Sequence, residues 1–373
     1  MSTNRSLNIL AINWQDITNP LGGGAEVHFH EIFKRVAAAG HQVTLLCCSY
    51  AGAPSFEMID GIRVVRSGSR NLFNYYVPRL YRSLCAQNRF DIVIDDINKI
   101  PFFTPLFVRE PPLAIAHHLF GKSIYLEAPF FPASYVWASE KLVPLIYRNT
   151  RFAVVSESTR QELQRLGIRS QVDLLPNAVD LAKYQELPRQ RSETPLIGYL
   201  GRLKKYKSID HLLRAMPGIL RTMPSVRLLI IGDGDYASTL GQLAKTLGID
   251  KNIEFAGHVP HEEKVRLLNK LWLAVNPSPK EGWGLTVIEA NACGIPVVAA
   301  DSPGLRDSVV HQRTGLLYSY GDVAELTQSV IELLGNSEKR TYLSTQARKW
   351  AENFSWDASA QKAIELIWSI VSK

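Results

Sequence analysis

Leu273-Ala-Val-Asn-Pro-Ser-Pro-Lys-Glu281-Gly-Trp-Gly284-Leu-Thr-Val-Ile-Glu289-Ala-Asn-Ala-Cys-Gly294-Ile-Pro-Val-Val-Ala299 reads as a strand, a loop, a helix and a second strand. Leu273–Val275 and Pro296–Ala299 are short apolar runs without polar alternation, as expected of parallel strands covered on both faces. Between them the spacing predicts a helix over Leu285–Cys293, which Gly294 stops. Parallel strands joined through a helix are the repeating unit of an open α/β sheet.

The same grammar extends in both directions. Toward the N-terminus of this half lie strand Leu196–Leu200, helix Ile209–Leu220, strand Val226–Ile231 closing on Gly232-Asp233-Gly234, helix Tyr236–Leu247, strand Ile253–Ala256 and helix Glu262–Asn269. The first half opens with strand Leu7–Ile12, a Gly22-Gly23-Gly24 loop, a helix over Ala25–Ala39 closed by Gly40, and strand Gln42–Cys47. Asp91–Ile94, Leu113–Ala116 and Phe152–Val155 are further strands, and a final helix spans Trp356–Ser372. Strand–helix alternation throughout predicts two doubly wound α/β units. The seam is expected near Pro176–Leu187, giving domains 1–180 and 181–355, with 356–373 packing back on the first.

The chain has 373 residues, more than one core usually serves, and 46% hydrophobic content. A formal charge of +7 suits an anionic ligand, an anionic membrane or nucleic acid, and by itself decides nothing. Four cysteines (Cys47, Cys48, Cys85, Cys293) show no zinc-like spacing. No signal peptide is read at the N-terminus, and no apolar run reaches the roughly 20 residues of a membrane span. A cytoplasmic protein is expected, resting at most on the inner face of the cell membrane.

Ligands of open α/β sheets gather at the carboxyl ends of strands. After Leu196–Leu200 comes Gly201-Arg202-Leu-Lys-Lys-Tyr-Lys207, in which a planar Arg fork and a Lys point charge can grip a diphosphate. An ordinary solvated basic loop is the plainer alternative. After Leu273–Val275, Gly282 and Gly284 leave backbone N–H groups bare at a helix start, which suits a phosphate. Glu281 and Glu289 flank that start, and a carboxylate accepts from two adjacent sugar hydroxyls. Phosphate between two sugars describes a nucleotide sugar. Glu289 as a mere helix-dipole partner remains the alternative.

Glu281 and Glu289 form E-x7-E. With Gly201-Arg202 and Lys207 they resemble the donor-site signature of retaining glycosyltransferases of the GT-B fold, family 4. The resemblance covers essentially the whole chain. The Gly22–Gly24 loop, His117, Val155-Ser-Glu-Ser-Thr159, Pro176-Asn-Ala-Val-Asp180, Gly232-Asp-Gly234 and Gly257 occur in that family's order. It implies two facing Rossmann-like domains with a donor cleft between them. Arg202 and Lys207 would then bind the donor diphosphate and stabilise the leaving group, Glu289 would hold the ribose, and Glu281 the donor sugar. The N–H groups of Gly284 and Leu285, with Thr286 and Gly201, would complete the donor contacts. His117 would reach the sugar (His118 is the alternative), and Gly23 and Gly24 would approach the phosphate. The family transfers a hexosyl unit with retention, with no cofactor and no required metal. Ala178 and Ser208 stand where the family commonly has glycine.

Asp233-Gly-Asp235 and Asp95-Asp96 resemble metal motifs, but follow apolar runs where turn and cap duties are common. From Arg63 to Arg89 six arginines, Arg70, Arg79 and Arg82 among them, occur with no acid and with Phe73, Tyr75, Tyr76 and Tyr81 interleaved. A second aromatic stretch includes Phe130-Phe131, Tyr135 and Trp137. Such surface fits a peripheral enzyme on anionic lipid, and otherwise divides into core aromatics and a solvated face. The expected partners are a UDP- or GDP-sugar and a lipid-linked or saccharide acceptor, not nucleic acid. A non-catalytic sugar-nucleotide-binding scaffold of the same fold is the rival reading.

Overall fold

The computed structural model describes residues 5–98, 100–185 and 190–372. It divides into two compact units, Met1–Asn177 with Trp356–Lys373, and Ala178–Ser355.

Among the described residues the first unit holds eight strands: β1 (Asn8–Ile12), β2 (Gln42–Cys47), β3 (Phe56–Ile59), β4 (Ile62–Arg66), β5 (Ile92–Ile97), β6 (Pro112–Ala116), β7 (Arg151–Val154) and β8 (Val172–Leu174). Their order is β3-β4-β2-β1-β5-β6-β7-β8, parallel except for the β3–β4 hairpin. The second unit holds β9 (Leu196–Leu200), β10 (Arg227–Ile231), β11 (Ile253–Gly257), β12 (Leu273–Asn276), β13 (Val297–Ala300) and β14 (Gly315–Tyr318). Their order is β11-β10-β9-β12-β13-β14, parallel throughout. In each sheet the first strand lies between neighbours reached in opposite directions, β2 and β5 flanking β1, and β10 and β12 flanking β9. The carboxyl ends of β1 and β5, and of β9 and β12, are therefore where an open sheet leaves a crevice.

Apolar strands with helices on both faces account for the burial. Leu10, Ile12 and Val93 of the first sheet pack on Phe73, Val77 and Tyr81, which recur every fourth residue along helix Phe73–Cys85. Each fully buried side chain of this size contributes about 1.5–3 kcal/mol. The last helix, Trp356–Val371, belongs to the first unit. It contacts helix Gly24–Ala38 through Asp357 and Arg35 (2.5 Å), and its Ser359 hydroxyl donates to the Pro176 carbonyl.

Two expectations need correction. Asp95 and Asp96 are not turn or cap residues beyond a strand; β5 runs on through them to Ile97, and both are fully buried. Buried donors make this tolerable: Thr104 and Tyr147 for Asp95, Asn13 and His117 for Asp96. Segment 63–89 is not one basic surface either. Arg66 ends β4 with its guanidinium buried against Asp16 and Glu57, each at 2.8 Å, and Phe73 and Tyr81 are core. Arg70, Arg79 and Arg82 are exposed, as are Tyr75 and Tyr76.

Candidate functional site

In the second unit the β9 loop is laced to the turn after β10. Gly201 N–H donates to the Ile231 carbonyl, Leu203 N–H to that of Asp233, and Tyr236 N–H to that of Leu203. This contact needs glycine twice. A Cβ on Gly232 would lie 2.0 Å from the Gly201 oxygen, and one on Gly234 would lie 2.2 Å from the Leu203 oxygen. The backbone of Arg202 is thereby fixed while its side chain stands exposed. Lys207 closes the loop, its Nζ 2.5 Å from Glu281 Oε1, with the side chains 13% and 17% exposed. Burial pushes the Lys207 ammonium down, but Glu281 and Tyr206 outweigh it and raise the group, with Arg202's positive charge opposing them. Arg202, Lys207 and Glu281 thus form one electrostatic group at the β9–β12 switch. Ser208 follows in a left-handed conformation (φ 52°), the backbone state in which glycine is ordinarily favoured.

Glu281 is anchored by its own N–H to the Pro303 carbonyl. Gly284 caps helix Leu285–Ala292 at φ 86°, and a Cβ there would meet Ser308 Oγ at 2.6 Å. Leu285 and Thr286 open that helix, with Thr286 Oγ1 at 3.5 Å from Asn276 Nδ2. One turn on, Glu289 is buried, and its Oε1 accepts from Tyr184 Oη (2.5 Å) and Lys264 Nζ (2.7 Å). Asp233 accepts from Gly234 N–H, and Asp235 pairs with Lys204.

In the first unit the β1–β5 switch carries a buried polar chain. His117 Nε2 lies 2.6 Å from Asp96 Oδ1, and Asp96 Oδ2 accepts from Asn13 Nδ2 at 2.7 Å. Asn98 Nδ2 donates to Asn13 Oδ1 and to Glu26 Oε1, and Glu26 Oε2 accepts from Gly23 N–H at 2.6 Å. His117 and the glycine loop therefore belong to one hydrogen-bonded set, beside an open hollow of about 160 Å³ lined by Ile17, Asn19, Gly22, Gly23, Glu26 and Val27. Gly24 opens the helix that follows. His118 is half-buried, its ring edge-on to that of Phe120. Burial and then His117 push the neighbouring His28 down to about 3, so His28 is neutral and donates Nε2–H to the Leu175 carbonyl. Sequence reasoning missed Tyr184, Lys264, Asn13, Asn98 and Glu26 as partners; only Glu26, three residues after Gly23, had a local signal, that of a helix-capping acid.

Two family models tile the chain: Glycosyltransferase Family 4 over residues 22–183, and Glycosyl transferases group 1 over residues 183–350. The chain belongs to the family 4 glycosyltransferases. The transferase is 25% identical to a glycogen synthase of Mycobacterium tuberculosis, over 95% of this chain and 92% of that one. It is 26% identical to a GDP-mannose-dependent alpha-(1-6)-phosphatidylinositol monomannoside mannosyltransferase of the same species, over 93% and 95%. Among solved structures, sucrose-phosphate synthase from Thermosynechococcus elongatus superposes with a TM-score of 0.82 at 20% identity, covering 98% of this chain and 99% of that one. The GT-B architecture of the transferase is thereby established.

Proposed function

We propose that this glycosyltransferase moves a hexosyl unit from a UDP- or GDP-sugar to an acceptor hydroxyl, with retention at the anomeric carbon and without a required metal. The observation that carries the reading is the Lys207–Glu281 pair beside Arg202 at the β9–β12 switch. The two cations there, Lys207 held by Glu281 and Arg202 on a fixed backbone, suit the charge that develops on a departing nucleoside diphosphate. Glu281 meets the donor sugar's hydroxyls, Glu289 the ribose, and the N–H groups of Gly284 and Leu285 the phosphate. The departing phosphate oxygen takes the acceptor proton, so catalysis is positioning and charge stabilisation. His117, held by Asp96, serves transfer and not nucleotide affinity.

Support for the nucleotide comes from relatives: the mannosyltransferase is named for GDP-mannose, and a similarly folded Anabaena protein, HepE, was solved with UDP and glucose. For the acceptor we favour a lipid-linked or saccharide hydroxyl. The exposed Arg70, Arg79, Arg82, Tyr75 and Tyr76 form a face suited to an anionic membrane. Among the described residues no helix is long and apolar enough to cross one.

A thermal-shift panel of UDP-, GDP- and ADP-sugars, with and without EDTA, tests the donor site. One nucleotide class stabilises the protein regardless of EDTA, and Arg202→Ala and Glu289→Ala abolish the shift. Stabilisation that survives both substitutions would place the nucleotide elsewhere.

A further inference from the structure

Glu289 does not stand alone in the second unit. Tyr184, from helix Leu181–Gln185, and Lys264, from helix His261–Lys270, come from separate elements and donate to the same oxygen, Oε1. An ionised carboxylate offers about two acceptor positions per oxygen. Both positions of Oε1 are taken, and among the described residues no hydrogen bond falls on Oε2. Tyr184 is 5% exposed, and burial followed by the Glu289 charge pushes its phenol far above the ordinary range, so it remains a donor at every working pH. The Lys264 ammonium also lies 5.6 Å from the centre of the Tyr184 ring, and His261 packs edge-on to that ring at 5.1 Å. The carboxylate is therefore held against rotation.

Such convergence is not needed for stability. A partly buried lysine–carboxylate pair roughly breaks even against its desolvation, and ordering the lysine chain costs entropy. What two donors on one oxygen do achieve is direction, because they turn the other oxygen toward whatever the site admits.

We propose that Tyr184 and Lys264 are positioning residues that set Glu289 to read a ribose: with Oε1 saturated, Oε2 is the acceptor for the 2′- and 3′-hydroxyls, and the site selects ribonucleoside over 2′-deoxyribonucleoside diphosphates. This rests on the donor reading above and adds to it the origin of sugar selectivity in the nucleotide.

Calorimetric titration with UDP, GDP and ADP, and with their 2′-deoxy forms, tests it on the intact chain. Wild type binds one ribonucleotide roughly tenfold or more tighter than its deoxy form, the worth of a hydrogen bond to a charged group. Tyr184→Phe and Lys264→Met weaken the ribonucleotide and bring the ratio toward one, whereas Lys264→Arg keeps both affinity and ratio. Tyr184→Phe removes a single oxygen, so it guards against a variant that merely unfolds. Wild-type ratio in both variants, or equal loss for ribo and deoxy forms, overturns the proposal while leaving the donor site standing. Failure of wild type to bind any diphosphate overturns the donor reading, and this inference with it.

Discussion

His28 has no route to water: it sits on helix Gly24–Ala38, edge-on to the rings of His117 and Trp356, and bonds the Leu175 carbonyl. Its proton affinity in the folded state is pushed down to about 3, from an ordinary value of 6.5, by burial and then by His117. A base with a depressed folded value binds its proton only after unfolding, so its contribution to stability falls as pH drops below 6.5 and stops falling near 3. At pH 5 this amounts to about 2 kcal/mol. Asp95 works with the opposite sign, because burial raises it to about 6 and the folded state then holds the extra proton. Comparing His28→Gln with wild type isolates the histidine. Urea unfolding from pH 7 to pH 5 is expected to cost the variant less stability than wild type; equal slopes would show that His28 is not held neutral. Lys207 adds nothing in this range, since a lysine raised in the folded state loses that contribution only above its ordinary value near 10.5.

Helix Phe73–Cys85 has two faces. Phe73, Val77 and Tyr81 enter the core, while Tyr75, Tyr76, Arg79 and Arg82 are left outside. Asn74 Nδ2 donates to Tyr135 of helix Phe130–Ile146, where Phe130 and Phe131 are 68% and 84% exposed. Exposed aromatic rings and arginines on this face are what the proposed membrane contact would use. Vesicle sedimentation is expected to bring the protein down with phosphatidylglycerol more than with phosphatidylcholine alone. Arg79→Gln with Arg82→Gln lowers the anionic binding by about tenfold or more, at about 1 kcal/mol for each charge; no binding to either vesicle would remove the membrane from the acceptor reading. Neither helix is among those read from the sequence, and each carries a proline inside it, Pro78 and Pro144. Proline removes one helical hydrogen bond, and here the buried side outweighs that loss. The loops that follow β9 and β12 were legible for the contrary reason. Gly201-Arg202, Lys207, Glu281, Gly284 and Glu289 depend on local backbone demands, and their spacing survives in the chain. Tyr184, Lys264 and Asp96 were not, since each acts through a partner distant in sequence or gains its meaning from burial, which no local pattern records.

At the scale of the molecule, strand and helix order were readable because parallel strands covered on both faces are written as plain apolar runs. The order of strands within each sheet was not, and it is that order which places the carboxyl ends of β9 and β12 side by side and gives Arg202, Lys207 and Glu281 a common crevice. A scaffold of the same fold would bind a nucleotide sugar there and leave it intact; a transferase breaks its anomeric bond. Proton NMR of UDP-glucose and GDP-mannose incubated with wild type and with Lys207→Ala, water serving as acceptor, separates these most directly. The expected result is release of nucleoside diphosphate from one donor, with free sugar appearing first as the α-anomer, and a rate roughly 10²–10³ lower in a folded Lys207→Ala. Both donors left intact by wild type, or a β-anomer appearing first, would contradict retaining transfer by this site.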